Sequence, residues 1–240
     1  SLAFLLRVLR GPVTIYFVLT YLSLNDQGVY YSFMSLGAMV ILAEMGFTRL
    51  ISIFLLHEFS FLKLKDGFLV GPLAHRSKIF SFISFSFFSI ILIVIVSILL
   101  LLPVGNYLFR DQPDNIHRAW EWFAIFSGLQ LFATFFQSIS LGFDHIKISS
   151  QNLIYSGIIG TLSLWIGLSC GLAIYSLPIS YFLIFLSSTF LFYKIYHFLL
   201  KQWLRYKFIL DKAYMIDFLK LQLKYAIGFI AGWVVFQLYT

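Results

Sequence analysis

A handful of polar side chains stand inside otherwise apolar segments, and any chemistry this sequence does runs through them. Arg49 and Glu44 lie in one long hydrophobic stretch. A charge near a bilayer centre costs roughly 2.5–3.5 kcal/mol even on lenient insertion scales, so such a group faces water, finds a partner or binds something. Arg49 reads in two ways. Its guanidinium either faces an aqueous cavity and binds an anionic group, or snorkels to the headgroups or pairs with another helix. Glu44 is either a proton or cation site or a structural hydrogen-bond partner. The two are five residues apart, so on one helix they point roughly 140° apart and are not a simple helical ion pair. Ser32, Ser35, Ala43 and Gly46 form a small-residue face with Arg49 at its edge.

Two further groups carry the same ambiguity. Arg7 and Arg10 precede Gly11-Pro12. A helix broken there, beside two cations, would cradle a phosphate; two arginines at the inner end of a span are also what membrane topology asks for. Ser127, Gln130, Thr134 and Gln137 follow at steps of three, four and three, which places them on one helical face. Gln130 and Gln137 either line a polar cavity for sugar hydroxyls or bond to a neighbouring helix. Ser156, Gly160, Ser163, Gly167 and Gly171 read as a packing face.

Catalytic patterns are poor. His57-Glu58 has no second histidine at metal-binding spacing. Asp111-Gln112-Pro113-Asp114 is better explained as a turn than as a metal site or a base. No phosphate-cradling glycine loop, GxSxG or zinc motif occurs. The expectation is a protein with no catalytic residues, no metal and no cofactor, which is not an enzyme.

The elements that position these residues follow from composition. Of 240 residues, 60% are hydrophobic and 11% charged, with a mean hydropathy of +0.91. Soluble domains run at about 45–50% apolar and about 25% charged. A soluble fold and a disordered chain are both excluded. Cys170 is the single cysteine, so no intrachain disulfide or cysteine metal cluster forms. The net charge of +7 reports orientation in a membrane and not nucleic-acid binding.

A crossing helix needs about 20 apolar residues. Spans are expected at about 2–24, 29–56, 79–104 and 120–142. Two more share the uncharged stretch between Lys147 and Lys194, divided near Ser176-Leu177-Pro178, and a seventh begins near Tyr225. The fold class is therefore all-α: a polytopic helical membrane protein with six transmembrane helices and the start of a seventh. The segments are too long and too evenly apolar for barrel strands. The expected domains are a six-helix lobe over 1–200, a basic linker over 201–224 and the start of a further span over 225–240. Alternate loops collect 14 of the 17 Lys and Arg residues on one side, against Arg110 and Arg118 on the other. The positive-inside rule then puts the N-terminus in the cytoplasm. The opening residues do not read as a cleavable signal, and the chain stops inside an apolar stretch, as a fragment or one half of something larger would.

Arg10-Gly11-Pro12, Tyr21-Leu22-Ser23, Gln27-Gly28-Val29-Tyr30-Tyr31-Ser32-Phe33, Ala43-Glu44-Met45-Gly46-Phe47 and His57-Glu58 together resemble the opening of bacterial polysaccharide-biosynthesis membrane proteins. Gly228-Phe229-Ile230-Ala231-Gly232-Trp233 through Phe236-Gln237-Leu238 resembles the seventh span of the same proteins. These are similar to O-antigen flippases, within the superfamily that also holds the multidrug extrusion transporters. The resemblance implies one lobe of a two-lobe bundle in a bacterial inner membrane. It implies a flippase that moves a polyprenyl-pyrophosphate-linked glycan by alternating access. By position, Arg10 and Arg49 would contact the pyrophosphate, with Glu44, Gln130 and Gln137 also at the site. The second lobe, or a second copy of the chain, is the implied partner beside the lipid bilayer; no nucleic acid is expected. The alternatives are a polytopic glycosyltransferase using Asp111 and Asp114 with a polyprenyl-phosphate donor, or a drug or cation exporter of the same superfamily in which Glu44 matters more.

Overall fold

A computed structural model describes residues 2–65, 67–206 and 212–239, some of them by backbone alone. It is 87% helical. In chain order the elements are α1 (Leu2–Tyr21), α2 (Leu24–Glu44), α3 (Phe47–Phe59), a hairpin of β1 (Lys63–Lys65) and β2 (Phe68–Val70), α4 (Leu73–Leu108), α5 (Asp114–Gly142), α6 (Ile146–Ser169), α7 (Ser176–Arg205) and α8 (Lys212–Tyr239).

Among the described residues, four helical segments are long and apolar enough to cross a membrane: α4, α5, α6, and α7 with the short turn before it. The chain is thus an all-α membrane protein. The apolar stretch of α4 is only 22% buried, whereas that of α5 is 50% buried. Phe88, Leu92, Leu99 and Leu100 of α4 are each more than 60% exposed, which suits a surface solvated by acyl chains. The more enclosed α5 is where polar side chains find protein around them.

Several boundaries differ from the sequence reading. The span expected over 29–56 is two helices, because the chain turns at Met45 (φ 48) and Gly46 (φ 74). Both residues are left-handed, a conformation that suits glycine and is uncommon for methionine. The Gln222 side chain reaches this corner, with Nε2 donating to the Met45 carbonyl at 3.1 Å. The helix is not broken at Gly11-Pro12; α1 runs straight through Pro12. The turn expected from Ser23 onward is the first turn of α2, with Ser23 Oγ accepting from the Asp26 amide at 3.2 Å as an N-cap does. The division expected near Ser176-Leu177-Pro178 falls just before it, between the end of α6 at Ser169 and the start of α7 at Ser176, with Gly171 at φ 80; Pro178 lies in the first turn of α7, where proline is tolerated. The expected linker over 201–224 is helical at both ends, since α7 reaches Arg205 and α8 starts at Lys212.

The chain forms two compact units. The first comprises residues 1–40, 94–133 and 151–188, and the second 41–93, 134–150 and 189–240. In the first, Phe33 packs against Phe109, Trp120 and Phe123 with ring centroids 5.1–5.4 Å apart. Gly105 makes room for Trp120: an added Cβ would sit 1.9 Å from its ring. Gly160 likewise lets α7 approach α6, since a Cβ there would meet Ile184 at 2.2 Å. In the second unit, Phe54, Phe82, Tyr214 and Phe218 form a cluster of edge-on and stacked rings that ties α3 and α4 to α8.

Candidate functional site

The corner at Met45-Gly46 decides where Arg49 goes. It ends α2 at Glu44 and restarts the helix at Phe47, which puts Arg49 in the first turn of α3. Glu44 lies just before that start and is buried. Its Oε1 accepts the Thr48 backbone N–H at 2.9 Å and also the Thr48 hydroxyl. A carboxylate at a helix N-terminus satisfies an orphan donor and is favoured by the helix dipole. The structure therefore has Glu44 holding the first turn of α3 through Thr48, while Gly46 is the N-cap residue.

α3 then lies close against α5. Gly142 allows this, because a Cβ there would come within 2.5 Å of Leu55. Phe59 and Phe143 stack edge-on beside it at 5.3 Å. N-terminal to this contact the two helices leave a pocket of about 460 Å³. Thr48, Arg49, Ser52 and Ile53 line it from α3, and Thr134, Gln137, Ser138 and Leu141 from α5. Six of these eight residues are polar. Thr134 and Gln137 are half-buried, and Arg49 is exposed. Ser52 Oγ donates to the Arg49 carbonyl at 2.7 Å, and Ser138 Oγ to the Thr134 carbonyl at 2.9 Å. Both hydroxyl oxygens keep acceptor capacity. Among the described residues, the Arg49 guanidinium makes no ion pair and the Gln137 amide no hydrogen bond. The pocket thus offers one fixed positive charge, an amide and several hydroxyls. That set suits a phosphate or carboxylate joined to a hydroxylated group.

The structure brings Arg49 and Gln137 together and leaves the other expected residues elsewhere. Gln130, two turns earlier on α5, donates from Nε2 to the Tyr181 carbonyl of α7 at 3.3 Å. Ser127 donates to the Ala124 carbonyl at 3.0 Å. The single polar face expected on α5 is therefore divided. Its first half bonds within the first compact unit and its second half opens on the pocket. Arg10 sits on α1 in the first unit, where a Cβ on Gly157 of α6 would lie 3.7 Å from its Nη1. The side chain of Arg7 lies outside the described residues.

Sequence reasoning missed Thr48, Ser52 and Ser138. The signal was present but hidden: Thr48 and Ser52 are four residues apart, as are Thr134 and Ser138, and each pair shares a helical face once α3 is known to be separate from α2. It also missed the pairing of Glu58. That carboxylate, 4% exposed, lies 2.7 Å from His75 Nδ1 and 3.8 Å from Lys78 Nζ. It fastens the end of α3 to the start of α4. In the first unit, Arg110 Nε meets Asp111 at 3.4 Å, and Asp114 falls in the first turn of α5, where an acidic residue is favoured.

No family model matches this chain, and neither a curated protein nor a solved structure does.

Proposed function

We propose that this chain is a transporter lobe of the flippase type, which moves a lipid-linked oligosaccharide or polysaccharide precursor across a bacterial cytoplasmic membrane without covalent chemistry. The observation that carries the reading is the pocket between α3 and α5, where Arg49 meets Gln137 and a set of hydroxyls within a membrane protein. A pyrophosphate would take the guanidinium, which is always charged and presents a fork of donors. The amide and hydroxyls would take the first sugar. The family resemblance around Arg10–Glu58 supports the same class of substrate.

In this reading the N-terminus is cytoplasmic and the protein spans the membrane six times before a seventh helix. The basic ends of α3, α4, α6 and α7 face the cytoplasm, as the distribution of Lys and Arg asks. Alternating access requires a second lobe, supplied by further chain or by a second copy. Glu44 contributes by holding the first turn of α3, and so the Arg49 backbone, in place.

The test is translocation of a fluorescent polyprenyl-diphosphate oligosaccharide in proteoliposomes. Arg49→Ala is expected to reduce the rate tenfold or more, and Arg49→Lys to retain part of it, while both insert normally. Undiminished translocation by Arg49→Ala would remove the assignment.

A further inference from the structure

The β1–β2 hairpin is held firmly and yet presents an apolar face to its surroundings. Its register pairs Lys63 with Val70, Leu64 with Leu69 and Lys65 with Phe68. Directly opposed residues share a face. Leu64 and Leu69 therefore form one side, and Leu69 is fully buried. Lys63, Lys65, Phe68 and Val70 form the other, and all four are exposed. The buried side is fastened to α7 by Gln202, whose Oε1 accepts the Leu69 N–H at 2.9 Å and whose Nε2 donates to the Leu69 carbonyl at 3.2 Å. Gly67 (φ 81) packs on Phe198. At the base, Phe61 stacks on His75 at 4.3 Å, within the Glu58 ion-pair cluster.

We infer that the exposed face of this hairpin binds anionic phospholipid, with Phe68 and Val70 entering the edge of the acyl region and Lys63 and Lys65 meeting the headgroup phosphates. Two observations select lipid over another occupant. First, the face sets each cation of β1 directly opposite a large apolar side chain of β2, a mixture that suits a bilayer interface. Second, β2 ends three residues before α4, the most apolar of the four candidate spans, whose first residue Leu73 is itself 68% exposed. The hairpin thus lies where a span must leave the membrane. Phe198 of α7 lies beside Phe68 with ring centroids 5.4 Å apart, and Lys201 Nζ stands 5.9 Å from the Phe198 ring centroid, so a further cation adjoins the face. The proposal does not depend on what the Arg49 pocket carries.

The experiment uses the full chain in the Cys170→Ser background, with Phe68→Cys carrying a fluorophore and quencher-bearing lipids in the vesicle. Vesicles of phosphatidylcholine are compared with vesicles of phosphatidylcholine and phosphatidylglycerol. Quenching is expected to rise at least twofold in the mixed vesicles, to fall with salt, and to lose its lipid dependence in Lys63→Gln/Lys65→Gln. Val70→Cys serves as a second label on the same face should Phe68→Cys fold poorly. A label equally open to water in both vesicles overturns the proposal. So does one shielded from water but not quenched by lipid, which would put protein on this face.

Discussion

Gln130 and Gln137 are the same residue type on the same face of α5, and they do different work. Gln130 is tied to a backbone carbonyl of α7. It belongs to the first compact unit, where two further side chains bond internally: Trp165 Nε1 donates to Thr14 Oγ1 at 3.0 Å, and Asn152 Nδ2 to the Ser188 carbonyl at 3.2 Å. Gln137 belongs to the other unit and opens with Arg49 on a pocket. In a low-dielectric solvent an internal hydrogen bond between helices is structural glue, whereas a polar group with no protein partner points to water or a ligand. Residue type and helical spacing are identical in the two cases; the neighbours decide.

That contrast predicts a graded set of outcomes. The largest effect belongs to the packed aromatic core of the first unit. Trp120→Ala removes a fully buried ring from contact with Phe33, Phe109 and Phe123 and is expected to cost about 3–5 kcal/mol, seen as a lower unfolding temperature in detergent. In the second unit, Glu58→Ala leaves His75 and Lys78 without their shared carboxylate. Both partners are partly solvated, so about 2 kcal/mol is expected, less than for a fully buried pair. Arg49→Ala should move stability by no more than about 0.5 kcal/mol, as exposed positions do. It should nevertheless weaken binding of polyprenyl diphosphate tenfold, about 1.4 kcal/mol. The smallest pair sharpens the comparison most. Gln130→Leu should lower stability by about 0.6–1 kcal/mol and leave ligand affinity unchanged. Gln137→Leu should do the reverse. If both variants behave alike, the division of the α5 face is wrong.

Much of the fold was legible because lipid imposes simple rules. The uncharged stretch of α4 and the end of α5 at Gly142 followed from charge spacing alone. The corner at Met45-Gly46 was not legible, since Met45 carries no turn signal and the apolar pattern continues across it. Pro12 and Pro178 differ: α1 runs through Pro12, whereas Pro178 marks a real division, since it sits in the first turn of α7. Of the site, Arg49 and Gln137 were legible as polar residues out of place. Glu44 was equally conspicuous, but its hold on the first turn of α3 depends on the corner that the sequence hides. The hydroxyls of Thr48, Ser52 and Ser138 were invisible, because serine and threonine are common in membrane helices and bond readily to their own backbone.

The central claim is that the space between α3 and α5 is wet and takes an anionic headgroup. Ser52→Cys in the Cys170→Ser background puts a thiol on its wall. Labelling with a membrane-impermeant thiol reagent, in membranes open to both sides, is expected to proceed readily and to be slowed by polyprenyl diphosphate but not by the uncharged polyprenol. A thiol that does not react, or one that reacts equally fast with and without the diphosphate, would contradict the account.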